Sequence, residues 1–147
     1  MIRYTNVNTL RELIRILVRN LGILEKDGAS CCGITIAQCH ALVEIGRACK
    51  ITLNDLASIL TLDKSTTSRT INNLVNQGLV ERETDESDRR YVKIQLTEQG
   101  NEVFVTIEKN MDQYYSNIFK SLPKDKESQV LESLNLLLDA INKNKCS

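Results

Sequence analysis

The order of apolar and polar positions changes period along the chain, and the stretch from Ile51 to Thr97 holds the most informative changes. Leu53, Leu56, Ala57 and Leu60 recur at helical spacing behind Thr52 and Asp55, a capping-box pair at a helix start. Thr61-Leu62-Asp63 then reads as a turn, with Asp63 suited to cap a second helix from Lys64 to Gln77. Gly78 suits the left-handed position just past its end. Thr67, Ile71, Leu74 and Val75 form the stripe expected to be buried. Beyond Gly78 the period falls to two. Leu79 to Glu83 reads as one strand and Tyr91 to Leu96 as another, with Val92, Ile94 and Leu96 on one face and Tyr91, Lys93 and Gln95 on the other. The polar run Thr84 to Asp88 turns the chain between them, and Lys50-Ile51 is placed to add a short third strand.

Long amphipathic helices flank this centre. Thr5 to Glu25 carries Leu10, Leu13, Ile14, Leu17, Val18, Leu21 and Leu24 on one stripe, with Asp27-Gly28-Ala29-Ser30 expected to break it. Arg3, Arg11, Arg15 and Arg19 lie off that stripe and read as a solvated face. Thr35 to Gly46 is a shorter, largely apolar segment, and Asn101 to Lys120 another long helix. Pro123, the only proline, is expected to open a final helix with the stripe Val130, Leu131, Leu134, Leu137, Leu138 and Ile141. The fold class is therefore mainly α, a winged helix-turn-helix with long N- and C-terminal helices. One domain spans 1–147, with residues 31–100 as the DNA-binding lobe and residues 1–30 and 101–147 as dimerisation helices. The terminal apolar surface exceeds what the central lobe needs to cover, so a two-fold homodimer is expected.

The second helix of the pair has an outward face without a carboxylate. Ser65, Arg69, Asn73 and Asn76 point away from the buried stripe, flanked by Thr66 and Asn72. The candidate DNA-reading set is Lys64, Ser65, Thr66, Ser68, Arg69, Asn72 and Asn73. Hydroxyls, amides and a guanidinium are the groups that reach base edges and phosphates in a major groove. Surface helices are polar in any case; a short helix and a turn before it point to recognition. At the wing tip, Asp88, Arg89 and Arg90 suit the minor groove, with Asp88 orienting a guanidinium; the competing use is a self-neutralised loop with Asp85 and Glu86.

Three runs carry a resemblance: Leu-Asp-Lys-Ser-Thr-Thr-Ser-Arg at 62–69, Leu-Val-Asn-Gln-Gly-Leu-Val at 74–80, and Asp-Arg-Arg-Tyr-Val-Lys-Ile-Gln-Leu-Thr at 88–97. In this order the chain resembles MarR-type winged-helix transcriptional regulators. The resemblance implies a homodimeric repressor, less often an activator, on a pseudo-palindromic operator in double-stranded DNA. It also implies an effector, bound near the junction of dimerisation and DNA-binding parts, that changes operator affinity.

Composition adds limits. The formal net charge of +0 argues against a non-specific polyanion binder, though charge is uneven: residues 64–78 hold Lys64 and Arg69 and no acid. No apolar run reaches the ~18 residues of a membrane span, and no signal segment opens the chain, so no membrane partner is expected and the expected location is the cytoplasm.

Five cysteines are unusual for a reducing compartment, where structural disulfides are rare. Cys31, Cys32, Cys39 and the lone His40 gather before and within the second apolar segment, while Cys49 and Cys146 stand apart. The first two precede a helix N-terminus, which favours thiolate. Three uses stay open: a thiol-reactive or oxidant effector site, a soft metal or metalloid site at Cys31, Cys32 and Cys39, or no sensing role, with Cys39 a small core hydrophobe. Zinc-sensing relatives use histidines on the long C-terminal helix, and this chain has none beyond His40. No cofactor is required by this reading. A thiol-based enzyme lacks support, since no Cys-x-x-Cys pair, phosphate loop or acid pair is present. The remaining alternative is a winged-helix protein-interaction module that does not bind DNA.

Overall fold

The structure is a computed structural model that describes residues 5–30, 33–88 and 90–145, with the side chains of 23–30 excepted. Its elements run α1 (Asn6–Ser30), α2 (Ile36–Ala48), β1 (Ile51–Thr52), α3 (Leu53–Leu60), α4 (Lys64–Asn76), β2 (Val80–Thr84), β3 (Val92–Leu96), α5 (Glu98–Lys120) and α6 (Glu127–Lys143). The chain divides into two compact units, Met1–Lys109 and Asn110–Ser147. Among the described residues no helix is long and apolar enough to cross a membrane.

In the first unit, Leu42 and Ile45 of α2, Leu56 of α3, Ile71 and Leu74 of α4, and Val80 and Ile94 of the sheet are fully enclosed, as is Ile107 of α5. This small core places α4 and the sheet. The sheet has the order β1-β3-β2 and is antiparallel throughout. Ile51 and Arg82 both lie opposite Ile94, while Val80 faces Leu96 and Thr84 faces Val92. Cross-strand partners share a face, so these residues form the side of the sheet turned to the helices. On the other side Gln95 Nε2 donates to Glu81 Oε1 at 2.7 Å, and Lys50 pairs with Glu83 at 3.2 Å.

Several expected boundaries move. The first helix does not break at Asp27-Gly28 but continues to Ser30, because a lone glycine costs only about 1 kcal/mol against alanine. The second does not stop at Gly46 but at Ala48. Gly46 is instead a packing residue: a Cβ there would sit 2.5 Å from the Phe104 ring, so glycine lets α5 approach α2. The start of α2 is a complete capping box that the sequence reading missed. Thr35 Oγ1 accepts from Gln38 N and Gln38 Oε1 accepts from Thr35 N, both at 3.2 Å. At α3 only half of the expected box forms, with Thr52 Oγ1 accepting from Asp55 N at 3.2 Å. The fifth helix starts at Glu98 rather than Asn101. Pro123 precedes a 3-10 turn at Lys124–Lys126, from which α6 follows.

The second unit contains the end of α5, the 3-10 turn and α6. Leu131, Leu134, Leu138 and Ile141 of α6 are all exposed, and none of its residues is buried. In the first unit Leu10, Leu13 and Leu17 of α1 are exposed as well.

Candidate nucleic-acid interface

The helix pair is built by local chemistry. Between α3 and α4 the chain turns through Thr61, which adopts φ 57° and ψ 42°, a left-handed conformation costly for a β-branched residue. Asp63 then caps α4, its Oδ1 accepting from Thr66 N at 2.6 Å. That backbone hydrogen bond, helped by the Thr66 hydroxyl and the nearby Arg69 charge, holds the Asp63 carboxyl below its usual range. The far end closes as a Schellman motif. Gly78 N donates to Val75 O and Leu79 N to Leu74 O, both at 3.0 Å, with Gly78 at φ 77°.

The buried side of α4 differs from expectation at two places: Thr70 is buried, and Val75 only half-buried. Two buried threonines would be costly if their hydroxyls lacked partners. Instead Thr67 Oγ1 donates to Asp63 O at 2.9 Å and Thr70 Oγ1 to Thr66 O at 3.1 Å. Their methyls are thereby left to pack.

The opposite side is open. Lys64, Ser65, Arg69, Asn72 and Asn73 are exposed; Thr66 and Ser68 are half-exposed at its edges. Arg69 Nη2 donates to Thr66 Oγ1 at 3.4 Å, which steadies the guanidinium over the first turn. Asn72 Oδ1 accepts from Nη2 of Arg82, on β2. Sequence reasoning missed Arg82. The available signal was alternation: Arg82 stands two residues beyond the buried Val80 and so shares the helix-facing side of the sheet.

The wing tip is tied by its own acids. Ser87 donates to Asp85 Oδ1 through its N at 3.0 Å and its Oγ at 2.7 Å. Arg90 grips Asp88 with Nε at 3.0 Å on Oδ1 and Nη2 at 2.9 Å on Oδ2. This fork keeps the Asp88 carboxyl below its ordinary pKa and raises that of Arg90. The Arg90 side chain remains 86% exposed, so the pairing aims the charge outward without covering it. Arg89 lies outside the described residues.

Of the candidate effector group, Cys31 and Cys32 also lie outside the described residues. Cys39 is half-buried on α2 and His40 is exposed beside it. Among the described residues no group of three or more His, Cys, Asp or Glu is placed to hold a metal ion. Neighbouring Gln38 is buried, and its Oε1 accepts from Gln77 Nε2 at 3.4 Å, joining the start of α2 to the end of α4.

Comparison with known proteins bears on this arrangement. Residues 33–90 match the model of the MarR family. Over 98 residues the chain is 26% identical to the HTH-type transcriptional regulator BilQ of Clostridioides difficile, covering 67% of this chain and 66% of that protein. Among solved structures, FabT of Streptococcus pneumoniae in complex with DNA superposes with a TM-score of 0.86 at 22% identity, over 95% of this chain and 100% of that one. A mutant of E. coli MarR complexed with operator DNA gives a TM-score of 0.76 at 26% identity, over 96% and 99% of the two chains. The capped helix pair, its three-stranded wing and these matches agree: residues 33–90 match the MarR family, and the chain is similar in sequence and fold to MarR-type winged-helix regulators.

Proposed function

We propose that this chain is a homodimeric, sequence-specific DNA-binding repressor of transcription, acting in the cytoplasm and without enzymatic activity or a required cofactor. The observation that carries the reading is the acid-free exposed face of α4, followed in the chain by a wing arginine, Arg90, that stays exposed while paired with Asp88. Both solved structures named above are DNA complexes, which supports duplex DNA as the partner.

In this reading α4 lies in a major groove. Lys64 and Ser65 meet phosphates at its N-terminus, while Arg69, Asn72 and Asn73 reach base edges. Arg90, together with Arg89, enters the adjacent minor groove. The exposed stripes of α1 and α6 pair with those of a second copy, setting two α4 helices about 34 Å apart on a pseudo-palindromic operator. Residues 1–30 and 101–147 then serve dimerisation and residues 31–100 DNA binding, within one domain.

Operator release by a thiol-reactive effector acting at Cys31, Cys32 and Cys39 belongs to the same proposal. Its support is the position of Cys39 next to Gln38, whose side chain ties α2 to the end of α4. Serine at all three positions should block release by arsenite or peroxide; release that persists rejects this part alone.

The test of DNA reading is a salt-dependent binding assay on the chain's own promoter fragments with random competitor. Arg69→Ala and Arg90→Ala should each weaken binding roughly 5- to 150-fold. Affinity unchanged by both substitutions would reject the assignments. Absence of any salt-dependent shift would favour an interaction module that does not bind DNA.

A further inference from the structure

An asparagine side chain normally offers one acceptor and one donor group, and on a reading helix both ends are used for adenine. Its Oδ1 accepts from the base N6 amino group while its Nδ2 donates to N7. Asn72 is not in that state. Its Oδ1 already accepts from Arg82 Nη2, which reaches α4 from β2. The polarity of this contact is forced by chemistry, because a guanidinium carries donors only. The amide oxygen must face Arg82, and the amide NH2 must face away.

The register explains why this arginine and no other does so. Arg82 stands opposite Ile94 on the helix-facing side of the sheet, just past the point where Val80 and Ile94 close the core. Its neighbours Glu81 and Glu83 point to the other side, where Gln95 and Lys50 occupy them. Arg82 therefore has α4 within reach, and Asn72, exposed on the flank of the reading face, is the acceptor it meets.

We propose that Arg82 is a specificity-determining positioning residue: by drawing the amide oxygen of Asn72 toward β2 it turns the amide NH2 outward as the group presented to DNA, which disfavours two-point reading of adenine and favours a base that offers acceptors, guanine or thymine. The inference rests on the DNA-reading function proposed above. Arg82 acts through Asn72 and need not touch a base. Charge is incidental to the effect; what matters is that residue 82 can donate and cannot accept.

The experiment is selection from a randomised duplex library with the full-length chain, comparing wild type with Arg82→Gln, Arg82→Lys, Asn72→Ala and the double variant Asn72→Ala with Arg82→Gln. Asn72→Ala identifies the step in each half-site that Asn72 reads. At that step the wild type should select guanine or thymine, and Arg82→Lys, still donor-only, should keep the preference. Arg82→Gln brings an amide that both donates and accepts, so Asn72 regains either orientation. Adenine should then gain on the order of tenfold at that step, with other positions unchanged. In the Asn72→Ala background Arg82→Gln should change nothing there. A uniform loss of affinity in Arg82→Gln, with base preference intact and a shallower salt dependence, would overturn the inference and make Arg82 a phosphate contact. Wild-type selection of adenine at the Asn72 step would overturn it too. Both results leave DNA reading standing, whereas a wild type that enriches no sequence overturns the proposed function and this inference with it.

Discussion

The central lobe and the terminal helices use the same kind of apolar stripe to opposite ends. In the lobe, Leu42, Ile45, Leu56, Ile71 and Leu74 are at 0% exposure: α2, α3, α4 and the sheet consume one another's apolar faces within a single chain. On α1 and α6 the stripe is as regular, yet Leu13 is 61% exposed, Leu131 51% and Leu138 57%. Burying one leucine side chain is worth about 1.5–3 kcal/mol, so a row of them left in water is a large unused stabilisation. An amphipathic pattern specifies that a face will be covered. It does not specify whether the cover comes from the same chain.

The strongest way to break this contrast is to charge the open stripe. Leu134→Glu combined with Leu138→Glu should convert the proposed homodimer to monomers and, by removing the second half-site contact, weaken operator binding on the order of 100-fold or more. Sedimentation velocity and a binding titration read the two effects, while the helix content of the lobe should stay intact. A dimer that survives both charges would show that α6 is not the dimerisation surface.

In the lobe the same logic inverts. Leu74→Ala empties a closed site and should cost about 2–5 kcal/mol of unfolding free energy, independent of protein concentration below the dimer transition. Urea titration checks it, and a cost near zero would mean the lobe core is not the closed unit described.

A smaller effect sharpens the turn between α3 and α4. Thr61 adopts a left-handed backbone with a β-branched side chain, so Thr61→Gly should stabilise the lobe by about 1 kcal/mol. A lower melting temperature in this variant would contradict the assignment.

The smallest effect is the acid dependence of the α4 cap. The Asp63 pKa is held below the ordinary value of 3.8 by hydrogen bonds from Thr66, so its contribution is present above that value and is lost as pH falls through the depressed native one. Between about pH 5 and pH 2.5, wild-type stability should therefore fall somewhat more than that of Asp63→Asn, which can cap without titrating. Equal slopes in urea midpoint against pH would remove Asp63 from the account.

What the sequence disclosed follows the range of the interactions. Caps and turns are local, so Thr52, Asp63 and Gly78 marked the ends of α3 and α4 correctly, and strand alternation gave the faces of β3. Gly46 misled because its reason is distant: it stands in a helix so that Phe104 can approach, and nothing near it in the chain says so. Arg82 was legible in principle, since alternation from Val80 puts it on the helix side, but its partner Asn72 lies across a turn on another element. Thr70 escaped because its hydroxyl is silenced by Thr66 O, a bond that makes a polar residue fit for burial. The MarR-type resemblance was readable from three runs spread over the wing and reading helix, and the matches agree with it.

Two copies of this chain are proposed to hold two reading helices at the pitch of one duplex. Sedimentation equilibrium of the chain with a duplex carrying its operator, combined with footprinting, measures this directly. Two chains per duplex are predicted, protecting two mirrored half-sites with centres about 34 Å apart. A solitary chain bound to one half-site would contradict it.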